Sequence, residues 1–77
     1  MGILRILDQT GDTAVEWRAD DDVSVEHVRA EFDRLVRGER WYAFARDAGA
    51  PADAATLVRD FDPSAEEIVL TRPLTGG

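Results

Sequence analysis

The sequence predicts an α+β fold in which one amphipathic helix packs against a mixed sheet of four or five strands. Three observations support this prediction: two β-rich runs around a turn near the start, one segment with apolar residues at helical spacing, and further β-rich runs after that segment. A chain of 77 residues has room for only one hydrophobic core, so we expect one folded domain.

The first two strands are predicted to form a β-hairpin, because two β-rich runs flank a turn that contains glycine. The runs cover residues 3–7 and 13–18, and the turn between them covers residues 8–12. Side-chain alternation places Leu4 and Ile6 on one face of the first strand, and Val15 and Trp17 on one face of the second. Core packing beneath the helix is the expected role of Trp17.

A single amphipathic helix is predicted for residues 24–37, where apolar and charged side chains alternate at helical spacing. The apolar positions are Val25, Val28, Phe32, Leu35 and Val36. An acidic run at 20–22 suits the positive end of a helix, and either Asp22 or Ser24 can cap it. Gly38 is predicted to end the helix in left-handed geometry.

The second half of the chain contains three more predicted strands. They cover residues 41–46, 56–61 and 68–71, with a loop at 47–55 and a capped single helical turn at 62–66. Pro63 takes the first helical position of that turn. Pro73 cannot donate a sheet hydrogen bond, so we expect regular pairing to end near Arg72.

The order of these elements predicts a β-grasp, in which a mixed sheet grips one helix. The helix allows the first and last strands to pair in parallel, because it supplies the crossover that such pairing needs. We expect residues 1–72 to form this domain and residues 73–77 to project from it as a flexible tail.

Composition narrows the classes of function. The formal net charge of −7 makes nucleic acid an unlikely partner, because phosphate contacts need a basic surface. Cysteine is absent, which excludes thiol nucleophiles and thiolate metal sites. No apolar run approaches the ~20 residues of a membrane span. A soluble cytoplasmic protein is therefore expected.

No group of side chains indicates catalysis. His27 is the single histidine, and we expect it to be exposed on the first turn of the helix. The carboxylates of Glu66, Glu67 and the acidic run at 20–22 are expected to be solvated, since catalytic carboxylates need burial and raised pKa values. We therefore expect no enzymatic activity, no metal and no cofactor.

Aromatic residues in the third strand indicate a binding surface. Alternation places Trp41 on one face of the strand, and Tyr42 with Phe44 on the other. If one face of the sheet is solvated, some of these rings are exposed. Together with Arg72, these three residues are the candidate partner-binding residues.

The chain resembles ubiquitin-like proteins along nearly its whole length. The resemblance rests on the hairpin, helix and late strands in this order, on the segment at 60–70, and on the ending Leu74-Thr75-Gly76-Gly77, which resembles Leu-x-Gly-Gly. The ending from Pro73 also resembles the Pro-x-x-Gly-Gly of molybdopterin sulfur carriers, which are related to those of thiamine synthesis. Glu67 matches the acidic residue that begins their preceding strand.

The Thr-Gly-Asp-Thr pattern near the start and the Phe-Asp-Pro-x-Ala-Glu-Glu pattern later are similar to small bacterial and phage ubiquitin-like proteins. This resemblance implies a protein modifier that works with an E1-like adenylating enzyme, an E2-like enzyme, a JAB-type or other diglycine peptidase, and an unknown target. A role in defence against phage is a further implication.

The modifier function that the resemblance implies assigns a role to each of three residues at the end of the sequence. Gly77 would carry the reactive carboxylate, Gly76 would let the backbone pass through a narrow channel, and Leu74 would be an apolar handle. Two alternatives remain open: a sulfur carrier with a thiocarboxylate at Gly77, and a β-grasp binding module that is not conjugated. A natural chain that continues beyond residue 77 would remove this chemistry.

Overall fold

The residues that the structure describes form five strands and one α-helix. The computed structural model describes residues 1–8 and 11–73. The strands are β1 (Gly2–Asp8), β2 (Gly11–Trp17), β3 (Tyr42–Arg46), β4 (Thr56–Val58) and β5 (Glu67–Thr71), and the helix is α1 (Asp22–Asp33). A π-helical turn at Arg34–Gly38 extends α1, and a 3-10 turn at Ala52–Ala54 lies between β3 and β4.

The strands form one mixed sheet in the order β2-β1-β5-β3-β4. β1 and β5 are parallel, whereas the other three pairs are antiparallel. The connection from β1 to β5 contains α1, as a parallel pairing requires. The predicted α+β class, single helix and parallel pairing of first and last strands are confirmed, and the layout fits a β-grasp.

The core lies between α1 and one face of the sheet. Leu4, Ile68 and Leu70 are fully buried on that face, and Val28 and Phe32 of α1 are fully buried against them. The predicted alternation in the hairpin is confirmed, because Trp17 is buried and Ile6 and Val15 pack at the margin of the same core. Burying an aliphatic or aromatic side chain contributes roughly 1.5–3 kcal/mol.

Three aromatic rings join the sheet, the helix and the segment after β4. Trp17 and Phe61 meet edge to face with centroids 5.0 Å apart, and Phe32 lies 5.9 Å from Phe61. The Trp17 indole N–H donates to the carbonyl of Pro63 at 3.0 Å, so its polar atom is satisfied inside the core.

The fourth strand is shorter than predicted. The sequence predicts a strand over residues 56–61, but β4 ends at Val58. The chain bends at residues 59–60 and turns Phe61 into the core, where it is only 8% exposed. Packing against Trp17 therefore outweighs the β propensity of this segment.

The predicted helical turn at 62–66 is instead a hydrogen-bonded turn. The Ala65 N–H donates to the Asp62 carbonyl at 3.1 Å, which closes a β-turn with Pro63 at its second position. The Asp62 carboxylate accepts from the Ser64 hydroxyl at 2.6 Å and from the Ser64 N–H at 2.9 Å. These bonds lower the pKa of Asp62.

Both helix ends differ from the prediction. Asp21, rather than Asp22 or Ser24, caps α1: its carboxylate accepts from the N–H groups of residues 23 and 24. At the other end Gly38 belongs to the π-helical turn and has no positive φ. The left-handed residue is Arg40, with φ of 60°. The π-helical turn extends the helix to Gly38 and moves the left-handed position from residue 38 to residue 40.

A charged cluster crosses the outer face of the sheet. Arg5 Nε donates to Glu67 Oε2 at 2.7 Å, and Arg46 Nε lies 3.6 Å from Glu67 Oε1. Arg46 also pairs with Glu66 at 2.8 Å. The bond from Arg5 holds the pKa of Glu67 below its ordinary value of 4.5. Partial burial opposes this shift and the Arg46 charge adds to it.

Substituting Glu67→Gln should make the free energy of unfolding depend less on pH under acidic conditions. Because the pKa of Glu67 is lowered by folding, its carboxylate contributes stability above the unfolded-state pKa and loses it as pH falls through the folded-state pKa. Urea unfolding from pH 7 down to about pH 3 should therefore show Glu67→Gln less stable than the wild type at pH 7, with the difference disappearing in acid. Glu16→Gln, at an exposed position of β2, is the control. An equal difference at both pH extremes would contradict the assignment.

Substituting Gly2→Ala should destabilise the fold by about 2 kcal/mol, because overpacking a close contact costs energy. A Cβ at Gly2 would overlap the Trp17 ring. Gly38→Ala is the matched control, since a Cβ at Gly38 meets nothing within 4 Å. Denaturant unfolding of both variants checks this expectation, and equal stability of the two would refute the close packing at Gly2.

Candidate functional site

The third strand presents its two faces as the sequence predicts. Ala43 and Ala45 face the helix and are buried, whereas Tyr42 and Phe44 face away and are 46% and 37% exposed. Trp41 precedes β3 and is partly buried against the core. The prediction that some of these rings are exposed is confirmed, and the exposed rings are those of Tyr42 and Phe44.

The sheet register adds two apolar residues to this exposed pair. Phe44 lies opposite Leu57 of β4 and opposite Val69 of β5. Leu57 is 59% exposed, and Val69 is partly buried. We call Tyr42, Phe44, Leu57 and Val69 the outer-face patch. Leu57 was missed from the sequence because strand pairing, rather than chain position, brings it beside Phe44.

A groove adjoins the outer-face patch at one end of the sheet. Its volume is about 680 Å³, within the roughly 300–1,000 Å³ that ligand pockets occupy. Its walls come from the end of the helix, the start of β3, the end of β4 and the segment after β5. The lining residues are Val36, Arg37, Arg40, Trp41, Tyr42, Leu57, Val58, Arg59 and Pro73.

The irregular end of the helix positions the wall of this groove. The Trp41 N–H donates to the Leu35 carbonyl at 2.9 Å, across the π-helical turn. The left-handed Arg40 reverses the chain between these two residues. The reversal brings Trp41 into contact with the core and places Arg40 and Trp41 side by side in the groove.

The structure brings together only some of the predicted site residues. Trp41 and Tyr42 line the groove, and Phe44 belongs to the neighbouring outer-face patch. Arg72 is exposed immediately after β5 and does not line the groove. β5 ends at Thr71, which confirms the predicted end of regular pairing near residue 72. Leu74, Gly76 and Gly77 lie outside the described residues.

Other predicted features can be placed as well. His27 is exposed on α1, as expected, but it lies in the second turn and not the first, because the helix begins at Asp22. Within residues 1–8 and 11–73, no three His, Cys, Asp or Glu side chains come together as a metal site would need. In the same part of the chain, no helix has the length and apolar character needed to cross a membrane.

Comparisons of the chain with protein-family models, with curated proteins and with solved structures found no match.

Truncating the exposed ring at Phe44 should cost much less stability than truncating the buried ring at Phe61. Phe44→Ala should lower the free energy of unfolding by less than about 1 kcal/mol, as is usual for exposed positions. Phe61→Ala should lower it by about 3 kcal/mol or more, because it leaves a cavity beside Trp17. Urea unfolding of both variants measures the difference. A larger loss for Phe44→Ala would mean that the outer face, and not the helix side, holds the core.

Proposed function

We propose that this chain is a ubiquitin-like protein modifier, activated at the carboxylate of Gly77 by an E1-like adenylating enzyme and then conjugated to a target. The main support is the position of the Gly76-Gly77 pair, a few residues beyond the last strand of a sheet whose layout fits a β-grasp. In this proposal the chain is the acyl donor, and separate enzymes catalyse the activation and transfer of its acyl group.

The proposed reaction explains why glycine stands at both positions. A carboxylate is a poor acyl donor, so the Gly77 carboxylate oxygen attacks the α-phosphate of ATP and pyrophosphate leaves. A thiolate of the activating enzyme then displaces AMP to form a thioester, and a target amine displaces the thiolate to form an amide. A backbone without Cβ atoms at residues 76 and 77 can approach the activating site closely.

The folded part of the chain would supply recognition in this scheme. The outer-face patch offers exposed apolar side chains from β3 and β4, and exposed apolar patches rimmed by polar residues mark protein interaction sites. β5 ends at Thr71, which lies opposite Tyr42 of this patch, and the chain continues into Arg72 and Pro73. A partner seated on this end of the sheet would therefore lie close to the start of the donor segment.

A sulfur carrier is the second candidate. Pro73 favours it, since the ending from residue 73 matches the Pro-x-x-Gly-Gly pattern of such carriers. In that reaction a sulfur nucleophile displaces AMP from the Gly77 acyl-adenylate, and one sulfur replaces one oxygen at the terminus.

A binding module without conjugation is the third candidate, and the exposed outer-face patch favours it.

Intact mass spectrometry after incubation with ATP and an extract of the cells that naturally produce the chain distinguishes the three. We expect a covalent adduct in which Gly77 is joined to an amine of another protein. Removing Gly77 should abolish the adduct, because the acyl donor would then end at Gly76. Gly38→Ala should retain it, since that position meets no other atoms within 4 Å.

The other outcomes contradict the proposal in different ways. Replacement of one oxygen by sulfur, without a protein adduct, supports the sulfur carrier. An unchanged mass in the presence of ATP supports the binding module. An adduct that survives removal of Gly77 would show that the attachment uses another atom of the chain.

A further inference from the structure

The arginines of this chain divide into two groups. The chain has nine arginines and no lysine. Six of the arginines lie within 4.0 Å of a carboxylate: Arg5, Arg18, Arg29, Arg34, Arg37 and Arg46. Within the described residues, Arg40, Arg59 and Arg72 have no such partner. Although the chain has sixteen acidic residues, three of its cations have no carboxylate within 4.0 Å in the part of the chain that the structure describes.

These three arginines lie in or next to the groove at one end of the sheet. Arg40 and Arg59 both line the groove beside the outer-face patch, and Arg72 immediately precedes Pro73, which also lines it. All three are exposed. The fold thus places, at one end of a chain with net charge −7, three arginines that have no carboxylate partner among the residues described by the structure.

The groove between these cations also has apolar walls. Trp41 and Val58 are partly buried at the margin of the core, and Leu57 is largely exposed. Arg37, the remaining arginine of the groove, is held by Asp60 at 2.6 Å and by Asp33 at 3.4 Å. Arg37 therefore belongs to the wall, whereas Arg40 and Arg59 have donors free of carboxylate partners within the described residues.

The backbone at the groove is irregular in two adjacent places. The helix widens into the π-helical turn, and Arg40 has left-handed geometry that is costly for a residue with a side chain. Such features occur often at functional sites. Both irregularities lie at the same wall of the groove, where they determine the positions of Arg40 and Trp41.

We propose that this groove binds an acidic segment of a partner protein, with carboxylates at Arg40 and Arg59 and an apolar side chain against Trp41 and Val58. The guanidinium group of arginine matches the planar geometry of a carboxylate and can bind it through two parallel hydrogen bonds. This binding does not depend on activation of Gly77, so the two proposals can fail separately.

A nucleic acid fits the groove less well than an acidic peptide does. A chain with net charge −7 repels the many phosphates of a nucleic acid, whereas a short acidic peptide brings only a few charges into the groove. The apolar walls also suit an aliphatic side chain.

The test uses a labelled peptide of alternating glutamate and leucine, and a matched peptide in which glutamine replaces glutamate. Fluorescence anisotropy measures affinity for the full chain, and NMR shifts of the isotope-labelled chain locate the site. We expect binding of the glutamate peptide only, with shifts at residues 40–42 and 57–59. Added salt should weaken it, because ionic screening reduces exposed charge interactions.

Single substitutions then test the two cations. Arg40→Gln and Arg59→Gln should each weaken binding about threefold, the effect of losing one exposed charge pair. Arg18→Gln is the matched control, because Arg18 follows β2 at the opposite end of the sheet. Arg59→Gln keeps the test informative if Arg40→Gln disturbs the left-handed position.

Several results would overturn this inference. They are equal binding of the glutamine peptide, an equal loss in Arg18→Gln, shifts confined to other parts of the sheet, and preferential binding of a single-stranded oligothymidine. Binding of the glutamate peptide with the predicted losses at both groove arginines would support it even if Gly77 is never activated.

Discussion

The parallel pairing of β1 with β5 is the constraint on which the rest of the structure depends. Five residue pairs align the two strands, from Ile3 opposite Glu67 to Leu7 opposite Thr71. The hydrogen bond between Arg5 and Glu67 joins residues 62 positions apart in the chain. Because the first and last strands lie at the centre of the sheet, all other elements must fit on either side of them or above them.

A single helix can cover only one face of such a sheet, and this asymmetry determines where binding can occur. The covered face carries the large buried side chains, whereas the opposite face is left to Tyr42, Phe44, Leu57 and the ion pairs of Glu67. The two ends of that outer face differ in character. One end carries ion pairs, and the other carries exposed rings beside arginines that have no carboxylate partner among residues 1–8 and 11–73.

The same pairing links recognition to the proposed donor chemistry. β5 runs from the end of the sheet that carries the ion pairs to the groove, so the chain leaves the sheet beside Tyr42, which lies opposite Thr71. Pro73 itself lines the groove. A partner that occupied the groove would therefore contact the segment from which residues 74–77 continue.

The fold class could be predicted from the sequence because periodicity is a local property. The alternation of Leu4 and Ile6 and the helical spacing of Val28 and Phe32 were sufficient to place the core. The end of the helix could not be predicted in the same way. Gly38 is a common helix terminator, but the π-helical turn moved the left-handed position to Arg40, which no propensity favours.

The candidate site was only partly predictable for the same reason. Tyr42 and Phe44 follow from alternation along one strand, whereas Leu57, Arg40 and Arg59 become neighbours through pairing and chain reversal. Phe61 shows the limit most clearly, because its local sequence is typical of a strand and its actual position depends on the rings of Trp17 and Phe32. Long-range packing of this kind leaves no periodic signal.

Amide hydrogen exchange, measured residue by residue by NMR, tests the central pairing most directly. We expect the amides of β1, β5 and β3 to exchange more slowly than those of β4, because these three strands are paired on both sides and β4 lies at the edge of the sheet. Amides of β5 that exchange as fast as those of β4 would contradict it, because the last strand would then not hold the centre of the sheet.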